Sequence, residues 1–151
     1  MISSSSTYER AKPANIQQQT IYSNTMLFDA KHFSVPTPKM FTSQYWHSQN
    51  AIIGQAKGRG TTYFFQHNKH EYVLRHYRRG GLIGKVLSDQ YLFTGLEQSR
   101  AWQEFKLLQH MQTLTLPCPT PIAAMLSKSG WYYQADIILT KIPNAQDLHF
   151  I

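Results

Sequence analysis

Two oppositely charged residues stand where charge is hard to place, and together they suggest anion chemistry. In the stretch EYVLRHYRRGG, Tyr72, Val73 and Leu74 favour an extended strand. Period-two alternation then sets Val73, Arg75 and Tyr77 on one face and Tyr72, Leu74 and His76 on the other. A guanidinium on an apolar face needs an anionic partner or ligand. The stretch EFKLLQHM, inside a helix-forming run, supplies a candidate. On a helical wheel Ala101, Phe105, Leu108 and Met111 form one apolar stripe, and Glu104 falls between Leu108 and Met111. A charge-assisted, bidentate Arg75–Glu104 pair resolves both oddities.

A third feature is GQAKGRGTTYFF, with Gly54, Gly58 and Gly60 at a strand–turn–strand. A glycine turn lets backbone N–H groups approach a phosphate, and Lys57 and Arg59 add positive charge. It is not a Walker A loop, because no Gly-Lys-Ser/Thr follows and no helix begins there. His67, His70 and Glu71 fall in a hairpin turn and are read as solvated rather than metal-binding. Cys118, the single cysteine, reads as a small filler in a proline turn, and no intramolecular disulfide is possible. No residue stands out as a catalytic base.

The elements that must position these groups follow from punctuation and periodicity. Residues 1–15 are Ser-rich and polar and are expected to be disordered; 16–50 read as an N-terminal extension, with QTIYSNTMLFD as short extended structure turning at Ser23-Asn24 and a short helix in FTSQYWHSQN. From 51 the runs AIIGQA, TTYFFQH and EYVLRHY read as a three-strand meander. A helix follows, from Thr94 or Glu97 to Thr113, and then a hairpin of IAAMLS and WYYQADIILTKI. PNAQDLHFI reads as the start of another helix. The order β-β-β-α-β-β predicts an α+β domain with a five-stranded antiparallel sheet and one major helix. Trp102, Trp131 and most tyrosines are expected in the core.

Composition narrows the function classes. Apolar residues are 42% and aromatics 13% of 151 residues, enough for a packed core. No run is long and apolar enough to span a bilayer, and no secretory signal is visible. Net charge is +7, and between Lys57 and Lys85 seven basic residues face one acidic residue, Glu71. Such a patch implies an anionic partner.

Glycine hairpin, strand cation, helix with an inward glutamate and two further strands resemble the N-lobe of a protein kinase. Val73-Leu74-Arg75 would take the place of the usual Ala-x-Lys, Leu139 that of the gatekeeper, and Thr140 to Ile142 that of the hinge. Together GQAKGRGTTYFF, LRHYRRGGLIGK, EFKLLQHM, LPCPTPIAA and YQADIILTKIPNAQDL resemble the 3-deoxy-D-manno-octulosonic acid (Kdo) kinase family, from about Ile16 to Ile151. The resemblance implies ATP-dependent phosphorylation of a Kdo hydroxyl on a lipid A precursor, with Mg²⁺. It also implies a peripheral site on the cytoplasmic face of the bacterial inner membrane, against anionic lipid. The implied nucleotide-binding residues are Gly58, Arg59, Gly60, Arg75, Glu104, Thr140 and Ile142. Arginine stands where most kinases carry lysine, and it can still clamp phosphate and carboxylate. The catalytic aspartate and the metal ligands are expected in a C-lobe beyond Ile151, leaving this chain inactive by itself.

Two rival readings compete. A basic patch interleaved with Tyr63, Phe64, Phe65, Tyr72 and Tyr77 fits a nucleic-acid-binding sheet, though it leaves Glu104 unexplained. A non-catalytic interaction module derived from a kinase lobe is the other.

Overall fold

The computed structural model describes residues 14–58, 60–78 and 89–141. Strands β1 (Ile16–Ile21) and β2 (Asn24–Asp29) form a hairpin closed by Tyr22 and Ser23. A 3₁₀ turn (Pro38–Phe41) and a short helix α1 (Ser43–Ser48) follow. Then come β3 (Ile52–Gly58), β4 (Gly60–His67), β5 (His70–His76), β6 (Tyr91–Leu92), helix α2 (Arg100–Thr113), β7 (Pro121–Ser129) and β8 (Tyr132–Thr140).

All strands join one antiparallel sheet in the order β1-β2-β7-β8-β5-β4-β3, with β6 also pairing β8. Among the described residues the sheet therefore has eight strands where five were expected. The expected five, β3, β4, β5, β7 and β8, are present and contiguous. The additions are β1, β2 and β6. QTIYSNTMLFD was expected to be extended but was not counted in the sheet, because IQQQTI buries neither face; four central residues are exposed on an edge strand. β6 is only two residues long and is made by pairing with Tyr132 and Tyr133 of β8.

Both faces of the central strands are covered, so β7 and β8 read as continuous apolar runs rather than alternating ones. On one face Phe65, Tyr72, Leu74 and Ile138 pack under Phe33, Met40, Phe41 and Trp46. On the other, Leu126, Ala135, Ile137 and Leu139 pack under Ala101, Trp102, Phe105 and Leu108 of α2. Helix α2 starts at Arg100 because the Ser99 hydroxyl accepts from the Trp102 N–H at 3.3 Å. Asn68 and Lys69 close β4–β5 with positive φ at both positions, the geometry a two-residue hairpin needs. No helix among the described residues is long and apolar enough to cross a membrane.

Trp131 departs from expectation. It is 79% exposed, because the β7–β8 turn at Gly130-Trp131 points it away from both packed faces.

Candidate functional site

An open cleft of about 670 Å³ lies between the β3–β4 turn, the end of β5 and the first turns of α2. That volume falls within the roughly 300–1,000 Å³ of small-molecule sites. Gly58 and Gly60 form its upper rim, and Arg75, His76, Tyr77 and Arg78 its floor. Arg100, Gln103, Glu104 and Leu107 reach it from α2. Spacings of three, four and seven residues put these four on one helix face.

The Arg75–Glu104 pair forms. Arg75 Nη2 donates to Glu104 Oε2 at 2.5 Å. It is not bidentate, because the Tyr77 hydroxyl donates to Glu104 Oε1 at 2.5 Å and occupies the second oxygen. The Arg75 guanidinium also lies 5.3 Å from the Tyr77 ring centroid. Burial, reinforced by the facing Glu104 carboxylate, pushes the Tyr77 phenol far above its usual range, so it remains a donor. The pair is not fully desolvated: Arg75 and Glu104 keep 34% and 29% of their side-chain surface exposed.

On the opposite face of β5, His76 sits between two carboxylates. Its Nδ1 meets Asp136 Oδ1 at 2.7 Å and its Nε2 meets Asp89 Oδ2 at 3.0 Å. The hydrogen bond to Asp136 is the main cause that raises the His76 pKa, against the opposing effect of burial. Burial in turn raises the pKa of Asp136. Beside this cluster Arg78 runs directly under Gly60: a Cβ on Gly60 would stand 3.1 Å from Arg78 Cγ. With φ at +105°, Gly60 is doubly required to be glycine.

Lys57, Arg75, Arg78 and Arg100 thus line one cleft in which Glu104 is the only carboxylate among the described residues. A cleft with this surplus concentrates an anion, and a polyphosphate fits it better than a neutral ligand. Of the residues singled out in the sequence, Gly58, Gly60, Arg75 and Glu104 come together here. Thr140 does not line the cleft; it ends β8, where its N–H donates to the Thr120 carbonyl at 2.9 Å. Arg59 and Ile142 lie outside the described residues, as do the expected tail, the PNAQDLHFI helix and most of the RRGGLIGK stretch. From the sequence, Tyr77 beside Arg75 reads as lining the phosphate site or as packing, with packing preferred, and neither Arg78 nor Arg100 is assigned to the cleft. The signal for Arg100 was available in its four-residue spacing to Glu104.

His67 is not simply solvated; its ring stacks on Phe33 at 5.3 Å. Among the described residues no three His, Cys, Asp or Glu side chains gather as a metal site. Phe65, Tyr72 and Tyr77 are buried, so three of the five interleaved aromatics are not displayed for stacking on bases.

Comparison with known proteins finds relatives over most of the chain. Residues 43–151 match the lipopolysaccharide kinase (Kdo/WaaP) family. The chain is 47% identical to a 3-deoxy-D-manno-octulosonic acid kinase of Vibrio parahaemolyticus, over 88% of this chain and 56% of the relative. A protein of the same name from Photobacterium damsela subsp. piscicida is 51% identical over 74% of this chain and 48% of its own. One from Haemophilus influenzae is 50% identical over 73% of this chain and 48% of its own. The chain thus spans about half the length of the curated relatives it matches. No solved structure matches it.

Proposed function

This chain belongs to the lipopolysaccharide kinase (Kdo/WaaP) family, and we propose that it supplies the nucleotide-binding lobe of a kinase that transfers phosphate from ATP to a hydroxyl of a Kdo sugar on a lipid A precursor. The observation that carries this reading is the cationic cleft under a glycine turn, with the strand arginine Arg75 tied to the helix glutamate Glu104. Glycine backbone and converging cations are what a triphosphate requires, since its transfer depends on positioning and charge stabilisation.

In this reading Gly58 and Gly60 let backbone N–H groups approach the phosphates, and Lys57, Arg75, Arg78 and Arg100 supply charge. Glu104 and Tyr77 fix where Arg75 points. Thr140 and Ile142, with Leu139 behind them, form the adenine end. Mg²⁺, when bound, would supply positive charge against the phosphates; its ligands and the catalytic base are assigned to the part of the relatives that this chain does not match. The enzyme acts as a peripheral protein on the cytoplasmic face of the inner membrane, where its lipid-borne acceptor lies.

The test is phosphate transfer from γ-labelled ATP to a Kdo-bearing lipid A precursor by the full-length protein. Label in the acceptor that falls at least about tenfold in Arg75→Ala supports the reading. Wild-type protein that neither binds ATP nor labels the acceptor would sink it.

A further inference from the structure

Two hairpin tips lie side by side at one end of the sheet and carry side chains the fold does not use. Tyr22 and Ser23 close β1–β2, and Gly130 and Trp131 close β7–β8. The tips are joined, since the Lys128 N–H donates to the Ser23 carbonyl at 3.1 Å. β6 completes the group: the Phe93 N–H donates to the Trp131 carbonyl at 2.7 Å. Tyr22 is 95% exposed, Trp131 79% and Leu92 57%. Tyr22 is also held at φ +56°, a left-handed conformation that disfavours a bulky L side chain. The two-residue turn requires that φ, and it leaves the ring standing out from the fold.

The chemistry of the group is that of a lipid interface. Trp and Tyr rings settle at the headgroup level of a bilayer, apolar body inward and polar tip wet. The one charge among them is Lys128, whose Nζ lies 4.4 Å from the Phe93 ring. Residues 20–25, 91–96 and 126–132 contain no Asp or Glu, in a chain of net charge +7. A protein partner would want a continuous face of about 800 Å² per side, which a few side chains on turns do not offer.

Register fixes where this group lies relative to the cleft. Thr62 opposes Arg75, and Arg75 opposes Ile137, so β4 and β8 run the same way. Followed back from those positions, β4 reaches Gly60 and β8 reaches Tyr132. The aromatic tips and the glycine turn therefore share one end of the sheet, while Thr140 ends β8 at the other.

We infer that Tyr22, Leu92 and Trp131 enter the headgroup region of an anionic bilayer, with Lys128 meeting lipid phosphate, so that the cleft is held beside its lipid-borne acceptor. This rests on the peripheral placement proposed above and assigns a face to it.

The chain carries its own probe. Trp46 and Trp102 are buried at 3% and 1%, leaving Trp131 as the exposed tryptophan. The full-length protein, with any tryptophan outside residues 1–151 replaced by phenylalanine, is mixed with vesicles of phosphatidylethanolamine and phosphatidylglycerol that carry a shallow spin-labelled lipid, and with phosphatidylcholine vesicles as control. The expected result is quenching on the anionic vesicles, a blue shift of the exposed component, and vesicle affinity reduced about tenfold or more in Tyr22→Ser/Trp131→Ser. Unchanged emission of Trp46 and Trp102 in that variant shows that it folds. Vesicle binding without quenching, or binding the double variant retains in full, overturns this face and leaves the peripheral placement standing. No vesicle binding at all overturns both. Self-association that the double variant loses, without lipid quenching, gives the tips to a second copy and overturns the proposal.

Discussion

Glu104 is shared between two donors two residues apart on one strand face: Arg75 holds Oε2 and Tyr77 holds Oε1, each at 2.5 Å. The carboxylate therefore locks α2 to the end of β5 through both oxygens, and Arg75 stays directed into the cleft. About a third of the Arg75 side chain remains exposed, so solvent screens the pair. Glu104→Gln should then destabilise the fold by about 1–2 kcal/mol, less than a fully buried pair would lose. Tyr77→Phe should cost about 0.5–1.5 kcal/mol by leaving Oε1 without its donor. Chemical denaturation of the singles and the double gives the coupling, expected to exceed about 0.5 kcal/mol. Additive losses would mean that the three groups do not act together.

How much of this was legible in the sequence depends on the range of the interaction that fixes each residue. The five strands and α2 were readable because β-rich runs, turn glycines and helical periodicity are local signals. Arg75 and Glu104 were readable because each is a charge on an otherwise apolar face, and such charges look for one another. Tyr77 was placed on the correct face by alternation, yet its claim on the second oxygen depends on a 27-residue separation that no local pattern encodes. Arg78 looked like one member of a basic run; only the fold brings it under Gly60. Trp131 was misplaced because tryptophan usually signals core, and a two-residue turn overrides that preference. The strand pair β1–β2 was weakened by four exposed polar positions, and it is set by pairing with β7 instead.

The two rim glycines should respond differently to alanine. Nothing lies within 4 Å of a Cβ built on Gly58. Gly58→Ala should change stability by no more than about 0.5 kcal/mol. Gly60 combines φ +105° with Arg78 Cγ at 3.1 Å from its Cβ position. Gly60→Ala should cost about 1–3 kcal/mol from backbone strain and should displace Arg78. Thermal denaturation of the two variants decides it, and equal losses would show that the turn is an ordinary hairpin.

Stability should fall as pH rises above the ordinary histidine value, because of His76. Its folded-state pKa is raised above 6.5, first by the hydrogen bond to Asp136. A raised group contributes its full stabilisation below its unfolded pKa and loses it as pH climbs through the folded value. The window therefore opens at 6.5 and extends upward. His32 and His67 are lowered by burial and act with the opposite sign, weakening the fold as pH drops below 6.5. Asp136, raised by burial, shares the sign of His76 but starts from 3.8. Subtracting the His76→Gln profile from the wild type isolates the His76 contribution. A difference that is flat between about pH 6 and 9 would remove the charged clamp from the account.

The cleft offers a last prediction, because four cations reach it and the Glu104 carboxylate holds Arg75 there. Arg78 rises from the end of β5 and Arg100 from the first turn of α2, so they approach from different elements. If phosphates occupy the space between, each cation contributes a charge-assisted hydrogen bond that a neutral side chain cannot replace. Arg78→Gln and Arg100→Gln in the full-length protein should each weaken ATP binding about tenfold. They should leave adenosine binding unchanged and make ATP affinity less sensitive to salt. Calorimetric titration with ATP and adenosine at two ionic strengths separates the cases. Equal losses for both ligands would mean that the arginines shape the cleft rather than read phosphate, and the charge argument would then have to rest on Lys57 and Arg75 alone.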